Sequence, residues 1–333
     1  MRSTIRESRE ATSAEWDAAY EVCPYATASH SRGWAEDWSR YTHGVMRPAP
    51  LLLRLDDGSR VLVPLTRQRR WHGLASRYLA APAGTYGGWL APGPLDEPRA
   101  LAVAEWLLRR RSPLWWRLNP FDPQAMALEA LTTLPDETHA VHLRDGFSAA
   151  CENASHGHQG AVRKAQRNGL SVRRAESAAD WETYYAIYLE ALRRWGEQAS
   201  SQYGAPLFDL LRRRGAPAVE LWLATLAGGE IVAGGIGLYA PRHVTYWHAA
   251  ARAEHFALRP ANLLVHEMLR DACLRGLDWF DLNPSGGHEG VRTFKERVGA
   301  VALPAPVVIR ERRRSPPSFG GSRRPATGTS DPS

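Results

Sequence analysis

The sequence contains 42 lysines and arginines in 333 residues, yet only two are lysine: Lys164 and Lys295. Arginine is a permanently charged planar fork, whereas lysine is a compact point donor on a flexible stem. A position that keeps lysine against such a bias is a candidate for a site that needs one small cation aimed at one oxygen. Cysteine is also scarce. Cys23, Cys151 and Cys273 are isolated and odd in number, which excludes a disulfide framework and a cysteine metal site and fits a reducing cytoplasm. No apolar run reaches the ~18 residues of a membrane-spanning helix. The polar stretch 1–17 lacks the apolar core of a signal peptide, so no membrane insertion is expected. No Gly-x-Ser-x-Gly elbow, P-loop or His-His-x-x-x-Asp motif occurs. His156 and His158 form an isolated pair, read as loop histidines rather than metal ligands, and no metal site is expected.

What is present is a globular composition, 44% hydrophobic and 23% charged. The net charge of +7 is uneven: residues 310–333 hold six arginines and two acids, which leaves the remainder mildly basic. That Arg-, Ser-, Pro- and Gly-rich stretch predicts a disordered basic tail over 309–333. Arg163, Lys164, Arg167, Arg173 and Arg174 form one basic stretch and Arg212, Arg213 and Arg214 another. Each reads either as a solvated face or as a phosphate-binding surface.

The same unit is legible twice. Asp56-Asp57-Gly58 predicts the turn of a hairpin between residues 51–55 and 59–66, and Ala227-Gly228-Gly229 the turn of a second, between 220–226 and 231–239. Each hairpin is followed by a helix, 101–111 and 262–275, and then by a strand. These strands, Trp115-Trp116-Arg117-Leu118-Asn119-Pro120 and Trp279-Phe280-Asp281-Leu282-Asn283-Pro284, agree at four of six positions. A third central strand is predicted at 244–249, and a helix from about Ala178 to Trp195 with Ser177 as N-cap. The expected architecture is α/β: tandem modules of mixed, mostly antiparallel sheets with flanking helices. The modules are expected over 1–150 and 151–308. Gly234-Gly235 within a strand predicts a bulge or a close backbone approach.

Three stretches carry a family likeness: Val162-Arg163-Lys164-Ala165-Gln166-Arg167-Asn168-Gly169, Leu258-Arg259-Pro260-Ala261-Asn262, and Asp281-Leu282-Asn283-Pro284 followed by Gly290-Val291-Arg292-Thr293-Phe294-Lys295-Glu296-Arg297-Val298-Gly299. Together they resemble the Fem-type branch of the GNAT acyltransferases, which includes aminoacyl-tRNA-dependent peptidyltransferases. Val298 stands where that family often has an aromatic residue. Thr85-Tyr86-Gly87-Gly88 resembles a cleft loop of the family's first module. The resemblance implies GNAT-like modules and an enzyme that passes an aminoacyl group from aminoacyl-tRNA to the amine of a small-molecule or peptide acceptor. Such an acceptor would be a specialised metabolite or a peptidoglycan precursor. No cofactor is implied, and a cytoplasmic monomer is expected.

The resemblance places Lys295 as the cation facing the tetrahedral oxyanion, with Phe294 packed beside it and Asp281 near the cleft. A salt bridge from Lys295 to Asp281 or Glu296 is the competing structural role. Tyr86, Tyr246, Trp247, His248, Asn283 and Arg292 are the expected substrate-binding residues, and Arg163, Lys164 and Arg167 the expected tRNA contacts. The stretch 256–262 lacks the glycines of an acyl-CoA pyrophosphate loop, and Pro260 has no N–H to donate. This favours a donor other than a CoA thioester, which stands as the alternative. A non-catalytic RNA-binding module is the third reading.

Overall fold

The computed structural model describes residues 3–70, 75–110, 112–131, 133–196 and 202–311. The first half runs β1 (Ile5–Glu10), α1 (Ser13–Val22), α2 (Arg32–Tyr41), β2 (Met46–Leu55), β3 (Arg60–Arg70), β4 (Ala75–Leu79), α3 (Glu97–Arg109) and β5 (Leu114–Arg117). After β6 (Glu137–His142), α4 (Gly146–Asn153) and α5 (His156–Arg167), the same order returns. It comprises β7 (Ser171–Arg174), α6 (Ala178–Trp195), α7 (Ala205–Arg214), β8 (Val219–Thr225), β9 (Ile231–Tyr239), β10 (His243–Ala251), α8 (Pro260–Leu274) and β11 (Trp279–Asp281). The chain then forms α9 (Glu289–Arg297), β12 (Val301–Pro304) and β13 (Val307–Arg310). The tandem duplication is therefore present element by element. His156 and His158 lie on α5, not in a loop.

The two sheets have the orders β1-β2-β3-β4-β5-β13 and β12-β6-β11-β10-β9-β8-β7. Each is antiparallel except for one pair, β4 with β5 and β10 with β11, joined by the crossover helices α3 and α8. Both hairpin turns place a glycine in the left-handed region, Gly58 at φ +86 and Gly229 at φ +85, as a tight turn requires. Helix α6 starts at a capping box in which the Ser177 hydroxyl and the Asp180 carboxylate exchange bonds with each other's backbone N–H. Helix α8 buries Leu263, Leu264, Met268, Leu269 and Ala272 against the second sheet.

The boundary at residue 150 does not follow the sheets. β6 and β12 pair in the second sheet, whereas β13 crosses back to pair with β5. Without this exchange β5 and β11 would each be an open edge, and β13 and β6 cover them. The expected tail at 309–333 likewise begins inside β13, whose Ile309 pairs with Trp115; residues 312–333 lie outside the described residues. Among the described residues no helix is long and apolar enough to cross a membrane.

Gly234 and Gly235 mark a close approach. A Cβ at Gly234 would sit 2.5 Å from the Tyr184 ring and one at Gly235 2.3 Å from the Tyr246 ring, so both rings lie flat on the backbone of β9. Gly235→Ala is expected to cost about 1–3 kcal/mol by overpacking, read as a lower urea midpoint at unchanged slope.

Candidate active site

The parallel pair differs between the halves. β4 and β5 pair over only two positions, and residues 80–90 then fill the gap: Ala80 N–H donates to Trp115 O at 2.8 Å and Gly87 N–H to Arg117 O at 2.9 Å. A Cβ on Gly87 would meet the Ala80 Cβ at 2.4 Å, so this plug requires glycine there. In the second half β10 and β11 pair only over 243–245 and 279–281. Beyond this point β10 continues on β9 with a bulge between Tyr246 and His248. Asn283, at φ +62, spans the divergence with a side chain instead of a ladder: its Nδ2 donates to Tyr246 O and Trp247 O, both at 3.1 Å.

Lys295 enters at this point from α9. It is 3% exposed, and its Nζ donates to Asn283 O and, at 3.1 Å, to Ser285 Oγ. No carboxylate lies within ion-pair distance of it among the described residues, so neither expected salt bridge forms. Burial pushes the ammonium down to about 8, with Asp281 opposing the shift. Asp281 is fully buried. Its Oδ1 accepts from Thr138 Oγ1 at 2.7 Å, Asn283 N at 3.0 Å and Tyr86 Oη at 3.2 Å, while Oδ2 has no protein partner. Desolvation raises this carboxyl above the ordinary range despite the donors. Tyr86 belongs to the plug of the first half, so its bond to Asp281 ties the two modules together beside the lysine.

Beside Ser285 a cleft of about 470 Å³ opens between β6, β12 and the start of α9, lined by Glu137, Gly286, Gly287 and Arg292 among others. Arg292 is exposed and pairs with Glu289 at 2.6 Å. Phe294 is half-buried, with its ring edge toward His158 at 6.5 Å. The bulge separates the three aromatic candidates on β10. Tyr246 lies over Gly235 and stacks on Phe280. Trp247 stacks on Tyr203 at 5.2 Å, and His248 Nδ1 bonds Tyr184 Oη at 2.5 Å, both in the aromatic cluster against α6. Burial holds His248 down to about 3, so it is neutral. The alternation expected along a regular strand is therefore broken by one extra residue.

Arg163, Lys164 and Arg167 lie on the exposed face of α5 and pair with no carboxylate among the described residues. The other expected basic surfaces are neutralised: Arg173 by Asp180, Arg174 by Glu220 and Asp271, Arg212 and Arg213 by Asp209, and Arg214 by Asp37. Thr138, Ser285 and the buried His139 were not read from the sequence. Ser285 follows the Asn283-Pro284 motif directly, whereas Thr138 and His139 come from a strand borrowed from the other half. Burial lowers His139, and the Lys295 charge adds to the effect.

At the N-terminus of α8, Pro260 has no N–H, and Asn262 and Leu263 spend theirs on Arg259 O at 3.2 and 3.4 Å. The Arg259 N–H is bonded to Phe256 O at 3.1 Å. At most Ala261 offers a free donor there, too few for a pyrophosphate.

Residues 154–296 match the family model described as acetyltransferase (GNAT) domain. No curated protein sequence matches the chain. Among solved structures, FemX superposes with TM-score 0.67 at 14% identity, covering 91% of this chain and 97% of its own. L-PGS from Bacillus licheniformis superposes with TM-score 0.58 at 13% identity, covering 93% and 95%. The C-terminal domain of a putative lysylphosphatidylglycerol synthetase from Agrobacterium fabrum gives 0.56 at 12% identity, covering 90% and 92%. At these identities the likeness is one of fold.

Proposed function

We propose that this chain, whose residues 154–296 match the acetyltransferase (GNAT) domain model and whose fold is like that of FemX, transfers an aminoacyl group from aminoacyl-tRNA to an amine and so makes an amide bond. The observation that carries the reading is Lys295: a buried ammonium with no carboxylate partner among the described residues, at the point where β10 and β11 part. Its two bonds go to neutral oxygens, so its charge remains available to an oxyanion.

The amine attacks the ester carbonyl of the aminoacyl group, the oxyanion forms against Lys295 Nζ, and collapse breaks the ester bond, the ribose oxygen leaving as a hydroxyl with the proton that the amine gives up. Asn283 holds the strands apart, and Asp281, locked by Thr138 and Tyr86, fixes the base of the site. The cleft beside Ser285 admits the acceptor. Glu137 and Arg292 on its walls bind polar acceptor groups, while Tyr246, Trp247 and His248 shape the donor side. The poor phosphate cradle at α8 and the α5 cations, which meet no carboxylate among the described residues, both favour an RNA-borne donor over a CoA thioester. A neighbour named as a lysylphosphatidylglycerol synthetase supports aminoacyl chemistry on this fold.

The test is transfer of radiolabelled amino acids in the presence of tRNA, synthetases and an amine pool, with and without ribonuclease. Label transfer is expected to vanish with ribonuclease. Ribonuclease-resistant transfer, or consumption of acetyl-CoA in its place, would move the assignment to an acyl-CoA-dependent N-acyltransferase.

A further inference from the structure

A second cavity, of about 300 Å³, lies between α4, α5 and α8, beside the C-terminal end of α9. This is the lower end of the range for small-ligand pockets. Its walls are flat rings and small apolar groups: Phe147 and His266 meet edge-on at 5.1 Å, and Val162 forms part of the floor. His158 lines it as well, and its ring touches Phe294, the neighbour of Lys295. Burial keeps His158 down to about 4 and lowers His266, so both imidazoles are neutral surfaces suited to stacking. Polar groups sit at the rim. Glu152, which accepts from Ser148 Oγ at 3.2 Å, and Gln166 offer bonds to the edge of a flat heterocycle. Arg163 stands at the same rim with no carboxylate partner among the described residues, and Lys164 and Arg167 continue the charge along α5. Val298, in the pocket wall, is one helical turn from Lys295, about 4.5 Å along the axis.

We propose that this pocket takes one unpaired nucleobase near the 3′ end of the donor RNA, with Arg163 on the adjoining phosphate. The proposal rests on the aminoacyl-tRNA reading above and supplies what the α8 terminus lacks, a place for the donor's phosphates. Single-stranded RNA is held by base stacking and backbone cations, and the pocket puts both at the C-terminal end of α9, whereas the acceptor cleft lies at its start. Glu152 favours a base with an exocyclic amine, which adenine, cytosine and guanine carry and uracil lacks.

The test is fluorescence anisotropy of the full chain with a short labelled single-stranded RNA ending in CCA, over a range of salt. Val162→Phe fills the floor and is expected to weaken binding about tenfold or more, in keeping with the loss of one stacked base. Arg163→Ala, at an exposed position, is expected to lower the salt slope by about one. Arg212→Ala, already engaged with Asp209, is expected to change neither. An abasic substitution at one position of the RNA should reproduce the Val162→Phe loss and should cost nothing further in that variant. Wild-type affinity in folded Val162→Phe together with an unchanged slope in Arg163→Ala overturns the subsite. Displacement of the probe by CoA at the same sites, with CoA thioester turnover, assigns the pocket to a CoA adenine and overturns it too. Ribonuclease-sensitive transfer that persists at wild-type KM in both variants removes the subsite alone. Ribonuclease-resistant transfer removes the donor reading itself.

Discussion

Replacing Lys295 with methionine lowers turnover by about 10²–10³-fold, the usual cost of losing one preorganised donor to an oxyanion. Methionine matches the stem of lysine and suits the buried position, so urea unfolding should show a folded chain and separate chemistry from stability. Lys295→Arg is not expected to rescue. The pocket at Asn283 O and Ser285 Oγ holds a point donor at a 3% exposed position, and a planar fork there displaces one of those oxygens or the substrate. The pH profile gives an independent reading. Burial sets the lysine at about 8, and the ammonium is the active form. Turnover should therefore fall as pH rises through that value, and the residual activity of the methionine variant should lack this limb. A wild-type rate in the methionine variant would end the oxyanion assignment.

The second large effect is on stability at acid pH. His30, His158 and His243 are nearly fully buried, and burial holds each down to about 4. His30 accepts from Thr27 N at 3.0 Å and donates to Gly87 O at 2.8 Å, which is a neutral tautomer. His243 donates from the second half to Ala26 O of the first at 2.9 Å. For a histidine with a lowered folded pKa, the unfolded chain binds more protons between its ordinary value and the lowered one. Stability is therefore full above the ordinary histidine range and is lost as pH falls toward about 4. With His248, held lower still at about 3, four such groups together cost roughly 5 kcal/mol per pH unit in that window, against ~5–15 kcal/mol of total stability. The urea midpoint should fall steeply between pH 6.5 and 4. His243→Asn, which keeps a donor for Ala26 O without titrating there, should flatten the slope by about a quarter. A midpoint independent of pH across this window would contradict the buried neutral tautomers.

The duplication, the two hairpin turns and the N-cap of α6 were all legible in the sequence, because each rests on local chemistry. A left-handed glycine, an N-cap serine and an apolar face at helical spacing act over a few residues and leave their pattern in the chain. Lys295 stood out as one of two lysines in an arginine-rich protein, and the fold buries that residue with no carboxylate within ion-pair distance among the described residues. The tertiary structure alone decided the exchange of β6 and β13 between the sheets, since the need to cover an open edge is set by the partner strand and not by the covering segment. It also decided that the first module's gap is filled by backbone and the second's is spanned by the Asn283 side chain, that Trp247 is an extra residue in its strand, and that Asp281 is locked by Thr138 and Tyr86. It separated the basic stretches as well. Arg173, Arg174 and Arg212 to Arg214 find carboxylates that folding brings to them, whereas Arg163, Lys164 and Arg167 find none among the described residues. Charge is a property of the sequence, but its neutralisation depends on which distant acid arrives beside it.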